Sequence, residues 1–176
     1  DYLKKKKSKQ NQILSYEVSY YRAIQLFNLN KYVEALPHFQ EGKKTAETAI
    51  KFKALYWSAE TNYRLENYQI GLEEFMDFKK TAPKSIEEYQ LIDYNIGYSY
   101  FKLKTYEVAA EAFKNFVEIN NNDGVLKDDA TIRMGDSFFA TKEYQKSITA
   151  YKKIVDSYGA SADYAQYQIA MSYGFL

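Results

Sequence analysis

The 176-residue chain contains no cysteine, which excludes disulfides, thiolate metal ligands and cysteine nucleophiles together. That absence suits the cytosol and an envelope compartment equally. There is one histidine, His38, so a zinc site lacks its usual ligands. As a general base His38 would need a nucleophile and an orienting group within hydrogen-bond reach, and the residues around it supply neither. No glycine-rich phosphate loop and no nucleophile elbow occur. No metal, cofactor or catalytic constellation is expected. No apolar run approaches the roughly 18 residues of a bilayer span, and no apolar segment of roughly 7–15 residues follows the basic start, as a signal peptide would require. An excess of one charge is missing too: 24 Lys and Arg face 23 Asp and Glu, a net +1. The first nine residues carry five lysines and one aspartate, a net +4, so the remainder carries −3. A slightly acidic body argues against nucleic acid as partner and against a basic membrane-surface helix. The run Lys4–Lys7 reads as a solvated helix end.

Tyrosine is what the chain has in excess: 19 of them, beside 11 phenylalanines. They recur in register. The decamers NKYVEALPHF, ENYQIGLEEF, KTYEVAAEAF and KEYQKSITAY begin at residues 30, 66, 104 and 142. Each holds a tyrosine (Tyr32, Tyr68, Tyr106, Tyr144), a small residue three later (Ala35, Gly71, Ala109, Ser147) and an aromatic four beyond that (Phe39, Phe75, Phe113, Tyr151). Twelve residues before the small position stands another: Ala23, Ala59, Gly97 and Gly135. Three beyond it come Leu26, Asn62, Tyr100 and Phe138, then Phe27, Tyr63, Phe101 and Phe139.

Spacings of three, four and seven put side chains on one stripe of an α-helix, and a small residue there lets a second helix approach closely. The register predicts helices over 12–29, 32–46, 50–65, 68–82, 86–103, 106–119, 125–141, 144–158 and 161–175. No stretch alternates with period two long enough for a strand, so the fold class is all-α. Ser85 with Glu88 reads as a capping box, Asp123 and Ser161 as N-caps, and Pro83 as a helix stop. NNNDG at 120–124 lacks the alternating acidic ligands of a calcium loop and reads as a turn. The pairs Glu73–Glu74, Glu87–Glu88 and Asp128–Asp129 diverge by about 100° on a helix, too far for general acid/base work. They read as solvated faces or helix N-terminal charges.

The pattern of small residue, tyrosine, small residue, aromatic and proline resembles the tetratricopeptide repeat (TPR), a helix–turn–helix unit that recurs about every 34 residues. Ala59, Tyr63, Tyr68, Gly71, Phe75, Phe78 and Pro83 carry the likeness best. The periods here, 36 to 38 residues, are longer, proline is missing from three repeat ends, and the leading tryptophan signature is absent. YQIAMSYGFL at 167–176 matches YNIGYSYFKL at 94–103. The composition and tail also resemble long TPR proteins of Bacteroidetes-type bacteria. The resemblance implies a right-handed α-solenoid of antiparallel helix pairs, about four full repeats plus one extra helix. The expected division is a tail of a preceding repeat or linker at 1–15, repeats at 16–49, 50–85, 86–123 and 124–160, and the first helix of a fifth at 161–176.

In such solenoids the first helix of each repeat lines a concave face. The resemblance therefore implies a groove of Tyr20, Ile24, Lys53, Tyr56, Glu60, Tyr63, Arg64, Tyr94, Tyr98, Phe101, Lys102, Arg133 and Asp136. Tyrosines offer a peptide broad apolar contact and a hydroxyl. The row Phe27, Tyr63, Phe101, Phe139 reads rather as core packing, the commoner use of a helical aromatic stripe. TPR domains that clamp a terminal carboxylate carry a lysine and asparagines where this chain has Tyr20, Ile24 and Asn95, so no such clamp is implied. The expectation is a non-enzymatic scaffold binding a protein or peptide. Its rival is a structural spacer in a bacterial cell-envelope assembly, with Tyr20, Tyr56, Tyr94 and Tyr98 buried or dispersed. The lone last helix, 161–176, is expected to leave Tyr173 and Leu176 on an open apolar face, a surface for self-association.

Overall fold

The computed structural model describes residues 2–119, 124–157 and 161–176, and of residues 2–7 and 9 the backbone alone. The described residues form nine α-helices and no strand. They are α1 Tyr2–Asn28, α2 Tyr32–Gly42, α3 Thr48–Arg64, α4 Tyr68–Thr81, α5 Ile92–Lys102, α6 Tyr106–Ile119, α7 Val125–Ala140, α8 Tyr144–Asp156 and α9 Ala162–Phe175. A short 3-10 helix, Glu87–Leu91, precedes α5. The chain divides into two compact units, Asp1–Tyr89 and Gln90–Leu176.

Each of the four pairs α1/α2, α3/α4, α5/α6 and α7/α8 is joined by the same turn. Asn30, Glu66, Lys104 and Lys142 take left-handed φ angles of 58°, 63°, 61° and 63°. The next amide reaches back to the first helix of its pair, as in Lys31 N–H to Leu26 C=O at 2.9 Å and Glu143 N–H to Phe138 C=O at 2.8 Å. This is the Schellman arrangement that satisfies the last carbonyls of a helix. A ring contact locks each turn from outside: Phe27 on Tyr32, Tyr63 on Tyr68, Phe101 on Tyr106 and Phe139 on Tyr144, all edge-to-face with centroids 5.1–5.5 Å apart. The recurring tyrosine is thus the outer half of a turn clasp.

The small residues sit where the paired helices cross. In unit 2 a Cβ on Gly97 would lie 2.8 Å from the Phe113 ring, and one on Gly135 would lie 2.7 Å from the Tyr151 ring. Ser147, buried at the same crossing, donates its hydroxyl to the Gly135 carbonyl at 3.0 Å. In unit 1 the corresponding residues are Ala23 and Ala59, both buried. The unit 1 core gathers Tyr20, Ala23, Leu26, Ala35, Phe39 and Ala54. Unit 2 has one cluster around Phe113, Phe116 and Met134 and another around Ile132, Tyr151, Ile154 and Ala165. A fully buried aromatic of this kind contributes about 1.5–3 kcal/mol.

Four expected helix features differ. The first helix starts at Tyr2 rather than 12, because residues 2–28 hold neither glycine nor proline and many good helix formers. The second ends at Gly42 rather than 46; Gly42 faces Tyr20 and Ala54, and a Cβ there would sit 3.2 Å from the Tyr20 Cβ. The segment expected as one helix over 86–103 is the 3-10 helix followed by α5. Its expected capping box is replaced: the Glu88 carboxylate accepts from the Trp57 indole N–H at 3.2 Å instead of capping near Ser85. Ser161 does hold the N-cap position of α9, though its side chain makes no capping bond. The proposed cap Asp123 and most of the turn at 120–124 lie outside the described residues.

Candidate functional site

In unit 1, Tyr20 and Tyr56 are 7% and 4% exposed, so neither lines an open groove. The groove expectation is corrected there. Their position, three before the small residue, turns each ring toward its own partner helix. Tyr20 meets Phe39 at 6.3 Å, and Tyr56 meets Phe75 and Phe78 at 5.6 and 5.5 Å. Tyr63 in unit 1 and Phe101 in unit 2 are likewise half-buried in turn clasps, and Ile24 is half-buried against the core. Glu60 and Arg64 pair at 2.7 Å. Burial lifts the Glu60 carboxyl above its ordinary pKa, and Arg64 offsets part of that rise. Lys53 lies 3.9 Å from Glu88, whose second oxygen is buried with no hydrogen-bond partner among the described residues.

Unit 2 brings its candidates together. Tyr94 and Tyr98 on α5 both donate to the same Asp129 oxygen on α7, Tyr94 at 2.9 Å. One turn later Arg133 donates from Nε to the Tyr98 hydroxyl at 3.1 Å and from Nη1 to Asp136 at 2.9 Å. The other Asp136 oxygen accepts from Tyr151 of α8 at 2.6 Å and Tyr164 of α9 at 2.7 Å. Gln168 donates to the Tyr164 hydroxyl at 2.9 Å. A single hydrogen-bonded seam therefore crosses three first helices, α5, α7 and α9.

The electrostatics follow from that wiring. Burial, reinforced by the Asp129 carboxylate, pushes the phenols of Tyr94 and Tyr98 up, with Arg133 opposing at Tyr98. Burial and Asp136 do the same at Tyr151 and Tyr164. Arg133 loses some hydration, but Tyr98, Asp136 and Asp129 outweigh that and hold its charge. The phenols stay neutral donors, and two carboxylates with one guanidinium give the seam a formal charge of −1. Arg133 remains 36% exposed, with Tyr94 and Tyr98 half-buried beside it. Lys102 is exposed.

The residues the groove expectation missed are informative. Asp129 and Glu74 were expected as solvated faces or helix N-terminal charges, and Glu88 also as half of a capping box. In each acidic pair the second member takes partners from another element, since neighbours on a helix diverge by about 100° or more. Glu74 of α4 is the most enclosed of these by donors. It accepts from Lys43 at 2.6 Å, Gln40 at 3.3 Å, Ser58 at 2.9 Å and Asn62 at 2.9 Å, joining α2, α3 and α4. An acid four residues before Arg133 was the available sign for Asp129; nothing local marked Glu74.

A tetratricopeptide-repeat family model matches residues 93–120 and 129–161. MamA residues 41-end from Desulfovibrio magneticus RS-1 superposes with a TM-score of 0.72 at 17% identity, over 92% of this chain and 90% of that one. Another structure of MamA protein gives 0.73 at 15% identity, covering 92% and 82%. A Podosopora anserina protein described as a kinesin light chain of nearly identical TPR-like repeats gives 0.70 at 12%, covering 90% and 85%. Residues 93–120 and 129–161 thus carry tetratricopeptide repeats, and the chain shares the fold of these solved structures. No curated protein matches it in sequence. The seam links the first helices of successive helix pairs, and the Glu74 cluster lies between second helices. Among the described residues no helix is long and apolar enough to cross a membrane, and no acidic or histidine cluster could hold a metal ion. Tyr173 and Leu176 of α9 and its end are 53% and 68% exposed.

Proposed function

We propose that the protein is a non-enzymatic protein–protein interaction scaffold that receives a peptide or protein segment on the first-helix face of unit 2. The observation that carries this reading is the Tyr94–Tyr98–Asp129–Arg133–Asp136–Tyr164 seam. Its polar groups are already held in place by one another, so a partner meets fixed rings and a fixed guanidinium with little ordering left to do. Tyrosine and arginine are also the side chains that most often dominate protein interfaces. The TPR fold, a frame of repeated helix pairs, agrees with a scaffold.

The test is affinity capture with the full chain, comparing wild type, Arg133→Ala and Tyr98→Ala, each checked for unchanged helix content. Both variants are expected to bind the captured partner at least about tenfold more weakly, the scale of an interface hot spot. Undiminished capture by both would overturn the reading. A second reading concerns unit 1 alone. The burial of Tyr20 and Tyr56 is what a structural spacer requires, and it favours an architectural role for the first two helix pairs.

A further inference from the structure

The two units differ at one furrow, and the difference opens a site. In unit 1 the furrow between second helices α2 and α4, floored by α3, is filled by the Glu74 cluster. Glu74 stands three residues after the small position Gly71; three after Ser147, its counterpart, stands Ala150. The floor residues correspond as well. Ser58 and Asn62 of α3, one before and three after Ala59, become Met134 and Phe138 of α7, one before and three after Gly135. Gln40 of α2 becomes Lys114 of α6. The carboxylate and both polar floor residues are thus replaced by apolar ones, and the carboxylate's replacement is a methyl group.

The result is a cavity of about 380 Å³ between α6 and α8, floored by Met134, Phe138 and Ala150. That is within the roughly 300–1,000 Å³ range of ligand-sized clefts. Its mouth carries Lys114, Lys146 and Lys153 against Glu111 and Glu118. Glu111 is already engaged by Lys114 at 3.8 Å, and Lys146 pairs with Glu143 while its amine lies 5.4 Å from the Phe138 ring centre. Among the described residues Lys153 has no carboxylate partner. Thr149 and Gln145 add polar contacts at the edge. An apolar floor below a mouth in which amines outnumber carboxylates fits a side chain with an apolar body beside negative charge. Unit 1 shows the same chemistry internally, where a glutamate chain descends into the furrow and its carboxylate meets Lys43.

We propose that this second-helix furrow of unit 2 is a docking site for an acidic peptide segment that inserts one large apolar side chain onto Met134, Phe138 and Ala150. It is a different surface from the Tyr–Asp–Arg seam and stands or falls separately. The apolar anchor supplies affinity, and Lys114, Lys146 and Lys153 select flanking carboxylates.

The experiment is fluorescence anisotropy with the full chain and three labelled dodecapeptides. One is acidic with a single central phenylalanine, one has serine in its place, and one keeps the phenylalanine but exchanges glutamates for lysines. The first is expected to bind, and the other two at least about tenfold more weakly. Ala150→Glu, which restores the unit 1 filling, is expected to weaken the first peptide by about tenfold or more. Lys153→Glu, at an exposed site that does not disturb folding, should weaken it about threefold and flatten its salt dependence. Arg133→Ala should leave it unchanged, which separates this site from the seam. Equal binding of the serine or lysine peptide overturns the proposal. So does unchanged affinity in both Ala150→Glu and Lys153→Glu, or no saturable binding of the first peptide below about 1 mM.

Discussion

Units 1 and 2 are built on one repeat pattern and place opposite materials at equivalent positions. At the helix crossing, unit 1 has Ala23 and Ala59 where unit 2 has Gly97 and Gly135. Between second helices, unit 1 has a carboxylate held by four side chains where unit 2 has an apolar-floored cavity. Between first helices the contrast runs the other way. Unit 1 sets Trp57 against Phe27, whereas unit 2 joins its helices through Asp129, Arg133 and Asp136. The pattern positions fix the fold and leave the remaining faces free to vary. Unit 1 thus gathers its main carboxylate cluster between second helices, and unit 2 gathers its own between first helices.

The largest expected effect comes from removing the carboxylate on which each polar cluster depends. Asp136→Ala strands the fully buried Tyr151 hydroxyl and removes one carboxylate partner of Arg133, and should destabilise the protein by about 3 kcal/mol. Glu74→Ala should cost less, about 2–3 kcal/mol, because the buried Ser58 and Asn62 side chains keep Gln40 and Asn67 as hydrogen-bond partners. Urea unfolding followed by circular dichroism measures both. Equal, small losses of under about 0.5 kcal/mol would show that the clusters are ornaments on apolar packing.

The crossings should give the next effect. Gly135→Ala and Gly97→Ala each gain helix propensity of about 0.5–1 kcal/mol. The added methyl would meet a buried ring at under 3 Å, and the net result should be a loss of about 1–2 kcal/mol. Thermal unfolding of either variant above the wild-type midpoint would mean that the rings shift freely, and that the alanine–glycine contrast between units is incidental.

The smallest effect belongs to what the units share. Glu66, Lys104 and Lys142 hold left-handed turns that glycine adopts without steric cost. Replacing any one by glycine should stabilise the chain by up to about 1 kcal/mol. Asn30→Gly should do less, since asparagine already tolerates this region. A ranking in which Asn30→Gly stabilises most would break the equivalence of the four turns.

The sequence carried the helix pairs, because stripes of tyrosine, small residue and aromatic repeat at spacings only a helix can bring to one face. It located the turns for the same reason, and it allowed either a groove or a core for Phe27, Tyr63, Phe101 and Phe139. It could not say which way Tyr20 and Tyr56 face. A helical stripe fixes relative directions along one helix, while rotation against neighbours is set by packing. Nor could it choose between members of the acidic pairs. The partners of Glu74 and Asp129 include residues 31 to 35 positions away, about one full repeat. By itself the sequence determined the repeating helix pairs, since periodicity and steric size act within a few residues. Only the tertiary structure decided that Asp129 and Asp136 tie the first helices of unit 2 together and that Ala150 leaves a furrow open. Burial, charge pairing and empty volume exist only once successive repeats are stacked.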